Sequence, residues 1–242
     1  GSGFPASVNN LVINNVANVR ADSVSTFTVN GTLTVSSGDL KLNTCVVTIG
    51  ASGLLSETPG NTCQGKVEAT RTVTSSTDEN FGGIGLKVNA TGSAPGVTTV
   101  SRVTEVAQTG NGHSSILRYF DVAPENNTGL NAILEFNYDV SELNGQNATN
   151  MMLWKSANTG TDWVPLSSIN NPAQFKLTAT GINSFSRWTA SDIDNTLLAA
   201  TKFTVANGWN MVSIPVTALD FTKIVLFPTA QSNAFAFEFG YV

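Results

Sequence analysis

The sequence predicts an all-β protein assembled from several short strand units, and three observations lead there. Charged residues make up 12% of the chain against 41% hydrophobic. That is about half the ~25% charge of an ordinary soluble domain, so Ser, Thr, Asn and Gly must furnish the wetted surface. Strand-length runs of β-branched and apolar residues recur along the chain, punctuated by Asn, Asp, Gly and Ser, while the residues that build amphipathic helices are scarce. Some runs alternate with period two: Ile133, Glu135 and Asn137 oppose Leu134, Phe136 and Tyr138, as a sheet with one dry and one wet face requires.

The first unit is expected over residues 1–64. Its runs "LVINN", "TFTVNG", "TLTVSSGD", "LKLN" and "CVVTIG" are each strand-length. Asn30-Gly31 is a strong two-residue hairpin signal, because both central positions of a type I′ turn need positive φ. The same short spacing suits the rungs of a β-solenoid, whose unit buries its apolar side only against neighbours. The solenoid-like reading is preferred over the hairpin. Residues 65–193 carry eight to nine further strand patterns with longer loops, which predicts an antiparallel β-sandwich. Residues 194–242 read as a linker followed by the strands of a further, incomplete β unit. There "AFAFEFGYV" places Phe235, Phe237, Phe239 and Tyr241 on one face, and such a strand needs a cover.

Cys45 and Cys63 bracket a Gly- and Pro-containing loop. A disulfide between them is favoured over two buried thiols, and closing a loop of that length would contribute roughly 3 kcal/mol. The net charge of −5 disfavours nucleic acid as a partner, which would need a basic patch. No apolar run reaches the ~20 residues of a membrane helix, so no membrane insertion is expected. No cofactor is expected either.

Candidate chemistry is sparse. His113, the single histidine, sits in a Gly- and Asn-rich turn with no nucleophile motif beside it. Glu105, Asp121, Glu125, Glu135, Asp139 and Glu142 could hide a glycosidase pair, but nothing selects one. Arg102 and Arg118 lie in strand patterns near these acids, so ion pairs are the simpler account. Asp192 and Asp194, with Asn195, offer oxygen ligands for Ca²⁺, although an Asx turn is the simpler use of that pattern. Among the tryptophans, Trp188 and Trp209 lie in apolar strand patterns. Trp163, near a turn, is the best exposed candidate for a glycan contact. An enzyme is not expected.

The stretch "GLKVNATGSAPGVTTVSRVTEVAQTGNGHSSILRYFDVAPENNTGLNAILEFNYDVSELNGQ", with "GINSFSRWTASD", resembles a module widespread in large secreted surface proteins of Bacteroidetes- and Ignavibacteria-type bacteria. The preceding "VNNLVINN" to "VTIG" and the following "GWNMVSIPV" to "GYV" resemble segments that flank such modules, so the resemblance covers nearly the whole chain. It implies a modular, multi-repeat protein exported through type IX secretion to the bacterial cell surface or beyond. Such proteins continue toward a sorting domain that is not present up to Val242, so the chain reads as a processed or excised segment. The resemblance implies location more than activity.

The expected function is therefore that of a structural, filament-forming subunit whose apolar strands complete a sheet of the next subunit or of a neighbouring module. Leu11 and Ile13 at one end, with Phe203, Val205, Phe235, Phe237, Phe239 and Tyr241 at the other, are the candidate assembly residues. A head-to-tail contact that does not close would make a homopolymer. The alternative is a carbohydrate-binding or adhesion module of a larger surface protein.

Overall fold

The structure, a computed structural model, describes residues 5–21 and 26–198. It is all-β: among the described residues, helix is confined to single 3-10 turns at Val140–Glu142, Ala148–Asn150 and Pro172–Gln174. No helix there is long and apolar enough to cross a membrane.

The first eight strands form a parallel coil. They are β1 (Ser7–Val8), β2 (Leu11–Asn14), β3 (Val19–Arg20), β4 (Thr26–Val29), β5 (Thr32–Ser37), β6 (Leu40–Ile49), β7 (Leu54–Glu57) and β8 (Cys63–Val73). β1, β4, β6 and β8 pair in parallel in that order, with β3 also on β6, and β2, β5 and β7 form a second parallel sheet. Because equivalent residues stack, identical side-chain classes form columns through the interior. Phe27, Val47 and Val67 lie opposite one another and are fully buried, as are Leu33 and its neighbour Val35 on the other wall.

Corner polar groups hold the turns in register. Asn10 Oδ1 accepts the N–H of Thr32, 22 residues on. Asn18 Oδ1 accepts that of Asp39, 21 residues on, and Asp39 Oδ1 that of Thr62, 23 residues on. Backbone donors that a corner would otherwise strand are thus paired. Asn30-Gly31 is such a corner and not a hairpin turn: β4 and β5, which it joins, belong to different sheets. A Cβ on Gly31 would lie 2.6 Å from the Asn9 carbonyl oxygen, so the close stacking of turns demands glycine there.

The remaining strands are antiparallel. They comprise β9 (Leu86–Ala90), β10 (Gly96–Thr104), β11 (Thr109–Gly110), β12 (His113–Ser114), β13 (Arg118–Pro124), β14 (Ala132–Asn137), β15 (Met151–Ser156), β16 (Val164–Leu166), β17 (Ile169–Asn171), β18 (Lys176–Ile182) and β19 (Arg187–Asp192). One sheet runs β8, β10, β13, β19, β15, β16; the other runs β17, β18, β14, β9. They share a core in which Phe120 of β13 meets Phe136 of β14 edge-on, centroids 5.1 Å apart. The alternation read in β14 matches its burial: Leu134 and Phe136 are buried and Ile133 is exposed.

The boundary expected at 64/65 is not a break in the structure. β8 crosses it, pairing in parallel with β6 on one side and antiparallel with β10 on the other, so one sheet continues from coil to antiparallel layers. A compact unit accordingly spans residues 1–200, and a second spans 201–242. The second lies outside the described residues, as do Phe203, Val205, Trp209, Phe235, Phe237, Phe239 and Tyr241.

Candidate functional site

Where the coil meets the antiparallel layers, the surface is indented by a polar cleft of about 340 Å³ lined by Glu57, Arg118, Asn137, Tyr138 and Asp139. Glu57 ends β7 in the coil; Arg118 opens β13 and Asn137 closes β14. Arg118 in its lining shares one sheet face with Arg102, because Arg102 and Phe120 are directly opposed in the β10–β13 pairing and Arg118 is two residues from Phe120.

Arg102 is fully buried and grips Glu57 with both terminal nitrogens, each at 2.7 Å from one carboxylate oxygen. Its Nη2 also donates to the Cys63 carbonyl at 3.1 Å, and Glu57 Oε1 accepts the Cys63 N–H at 2.7 Å. The guanidinium therefore ties three chain segments to one point. Arg118 donates from Nε and Nη2 to Glu142 Oε1 at 3.0 and 2.8 Å, and from Nη1 to the Asn137 carbonyl at 2.7 Å. The second Glu142 oxygen accepts the Asp139 N–H at 2.8 Å, completing a capping box with Asp139. Asp139 in turn accepts the Gly60 N–H at 3.0 Å, reaching back to the coil.

The electrostatics follow from burial against pairing. Burial alone would raise the Glu57 carboxyl, but the charge and hydrogen bonds of Arg102 hold it below its ordinary value. Burial pushes Glu142 up despite Arg118. Asp139 is desolvated too, yet donors from Ser141 and Gly60 bring it below its ordinary value. The Tyr138 hydroxyl is buried without a hydrogen-bond partner, and burial pushes it up to about 12. Each acid at the junction is thus engaged by arginine or backbone donors, an arrangement suited to fixing two structural units against each other.

The acids considered from sequence are dispersed. Asp121 pairs with Arg187 at 2.7 Å, Glu135 with Lys87 at 3.0 Å, and Glu125 approaches the Val97 N–H at 3.3 Å. Only Asp139 and Glu142 come together, as the two halves of the capping box. The expected ion pairing of Arg118 with one of these acids is present, whereas Arg102 pairs with Glu57. Sequence could not single out Glu57, because a coil strand and a strand some forty positions later meet only through the parallel-to-antiparallel switch at β8.

Several expectations are corrected. Cys45 and Cys63 are both buried free thiols and not a disulfide. The β6–β8 register sets Leu40 opposite Cys63, then shifts across an irregularity between Lys41 and Val46 before Val46 meets Lys66. Cys45 therefore falls beyond the position that faces Cys63. Burial pushes both thiols up, Cys63 strongly. Trp163 is not an exposed platform: it is 3% exposed, packs with Trp154 and Leu197, and donates from Nε1 to the Thr109 carbonyl at 3.2 Å. The β11–β12 hairpin supplies that acceptor. Trp188 is fully buried.

Asp192 is buried and its carboxylate accepts the N–H groups of Asn147, Asp194 and Asn195 and the Asn195 side-chain amide at 2.8–3.2 Å. This is Asx-type capping, and it consumes the lone pairs that Ca²⁺ would use; Asp194 itself points to an exposed position. Among the described residues, no three His, Cys, Asp or Glu side chains converge on a metal-sized point. Of the assembly candidates, Ile13 is buried and Leu11 half-buried at the outermost turn of the coil. No protein-family model, curated protein or solved structure matches the chain.

Proposed function

We propose that this chain is a non-enzymatic structural subunit of an extracellular bacterial surface or filament, assembling by β-strand complementation at the open end of its parallel coil. The observation that carries the reading is the state of the first described turn. Among the described residues β1 and β2 are terminal strands of their sheets, and Val8 and Leu11 are only partly buried against the core. The Ala6 and Val8 carbonyls accept from Thr28 of β4 and from Asn30 just beyond it, which turns the backbone groups of Ser7 to the opposite side, unpaired among the described residues. A strand edge over a partly open apolar column is a template for another strand.

The opposite end of the large sheet is blunted. β16 is three residues long and contains Pro165, which has no N–H to offer. Addition at one end and protection at the other give a contact with direction, as a head-to-tail polymer needs. The donor in this reading is an alternating apolar segment within residues 203–242 of a neighbouring copy. The low charge and the rigid coil-to-layer junction both suit a load-transmitting exported module. Burial of Trp163 leaves the glycan-binding alternative without the aromatic contact on which it was based.

Size-exclusion light scattering and electron microscopy of the full chain test the proposal, alongside Ser7→Pro. Proline there removes an outward N–H without touching the ladder to β4. The expected result is oligomers or filaments from the parent chain and monomers from Ser7→Pro at an unchanged melting temperature. A monomeric parent chain, or a Ser7→Pro variant that assembles as well as the parent, would refute it.

A further inference from the structure

Three Asn-Gly pairs lie among the described residues, Asn30-Gly31, Asn111-Gly112 and Asn144-Gly145, and the fold treats them differently. We propose that Asn111 is a site of spontaneous covalent modification, converting to aspartate and isoaspartate while Asn30 and Asn144 are protected. The reaction needs an electrophilic side-chain amide, a following backbone nitrogen free to reach it, and no Cβ on the following residue to obstruct the approach. The Gly112 nitrogen attacks Asn111 Cγ, forming a C–N bond and a five-membered succinimide. Ammonia leaves with the side-chain nitrogen and the proton lost from the Gly112 amide. Water then adds to either ring carbonyl, opening the ring to aspartate or to isoaspartate, with no change of oxidation state.

Asn30-Gly31 cannot meet these needs in the fold. The Gly31 N–H donates to the Asn9 carbonyl at 2.6 Å, so the attacking nitrogen is held within the stacked coil. Asn30 Oδ1 is pressed toward Gly50, where an added Cβ would come within 2.5 Å of it. Asn144-Gly145 has the same left-handed backbone as Asn111-Gly112, with φ of 54° and 77° against 51° and 78°. Its side chain, however, donates from Nδ2 to the Ser115 carbonyl at 3.0 Å, fixing the amide away from the ring-closing rotamer.

Asn111 has no such restraint. Asn111 and Gly112 are exposed at the tip of the β11–β12 hairpin, and among the described residues no hydrogen bond holds the Asn111 side chain and nothing stands within 4 Å of a Cβ at Gly112. β11 and β12 are two residues each and, among the described strands, pair only with one another. An isolated two-stranded ribbon is marginal in water, so the turn can open far enough for the nitrogen to swing onto Cγ.

The modification would be felt locally. Gly110 rests against the Leu197 backbone, and Thr109 accepts from Trp163. An isoaspartyl linkage lengthens the backbone by one methylene and adds a negative charge at the tip, which loosens the lid over Trp163.

Ageing the full chain in warm, mildly alkaline buffer, followed by peptide mapping with isoaspartyl-specific detection, tests this. Asn111 should convert roughly tenfold faster than Asn30 or Asn144, the factor that one net hydrogen bond supplies, with a red shift of tryptophan emission that Asn111→Gln abolishes. The same chain in urea should lose that ranking, because the selection lies in the fold. Conversion of Asn30 or Asn144 as fast as Asn111 in the folded chain would overturn the proposal, as would an unchanged ranking in urea.

Discussion

Arg102 ties together segments remote along the chain. It lies on β10 yet binds the last residue of β7 and the first carbonyl of β8. Its loss strands a largely buried carboxylate, 16% exposed, and breaking a buried pair in that way costs about 3–5 kcal/mol, whereas the intact pair adds little over an apolar pair of equal volume. Arg102→Met should therefore lower stability by about 4 kcal/mol in chemical denaturation. Adding Glu57→Gln should restore about 1–2 kcal/mol, since the amide still accepts the Cys63 N–H without an unpaired charge. Equal stability of the parent and the single variant would show that the pair is not structural. Trp163 shows the same lesson from the other side: proximity to a turn suggested exposure, but a hairpin from elsewhere in the chain covers the ring.

At the scale of elements, the coil is held by columns and corners. The columns are apolar and tolerate exchange among hydrophobes, but the corners depend on particular acceptors. Asp39 takes its place in the ladder by donating its own N–H to Asn18 and accepting from Thr62 N–H and the Gln64 amide. Thr62 is buried, so Asp39→Ala leaves a buried donor without a partner and should cost about 1–3 kcal/mol. Hydrogen exchange should locate the loss at Thr62 and at the β6–β8 ladder beside it. Uniform loss of protection throughout residues 1–200 would mean that the corner is not a local lock. The two-residue signal at Asn30-Gly31 belongs here too. It marked a corner of the chain, but both flanking runs found parallel partners one turn away, and a hairpin would have left their apolar residues without a column to join.

For the whole molecule, the decisive feature is that β8 is shared. One of its sides completes the coil and the other begins the antiparallel layers, so the compact unit does not divide at residue 64. A chain of residues 65–193 alone keeps most of β8 but removes β6, which pairs beside it, and Glu57, which neutralises Arg102. That fragment should show no cooperative thermal transition by near-ultraviolet circular dichroism, while residues 1–200 unfold in one. A fragment that melts like the longer chain would establish an independent domain and contradict the shared-sheet account.

The all-β class, the strand-length runs, the dry face of Leu134, Phe136 and Tyr138, and the solenoid-like spacing of the first runs were all legible in the sequence. They are set by local propensity, by the period of two and by the short spacing of the runs, which a stretch carries without reference to the rest. The tertiary structure alone decided that β8 joins two architectures, that Arg102 meets Glu57, that Leu40 and not Cys45 faces Cys63, and that Trp163 is roofed by a distant hairpin. Those outcomes depend on register and on contacts between residues remote along the chain, where a shift of a single position reverses which side chains meet.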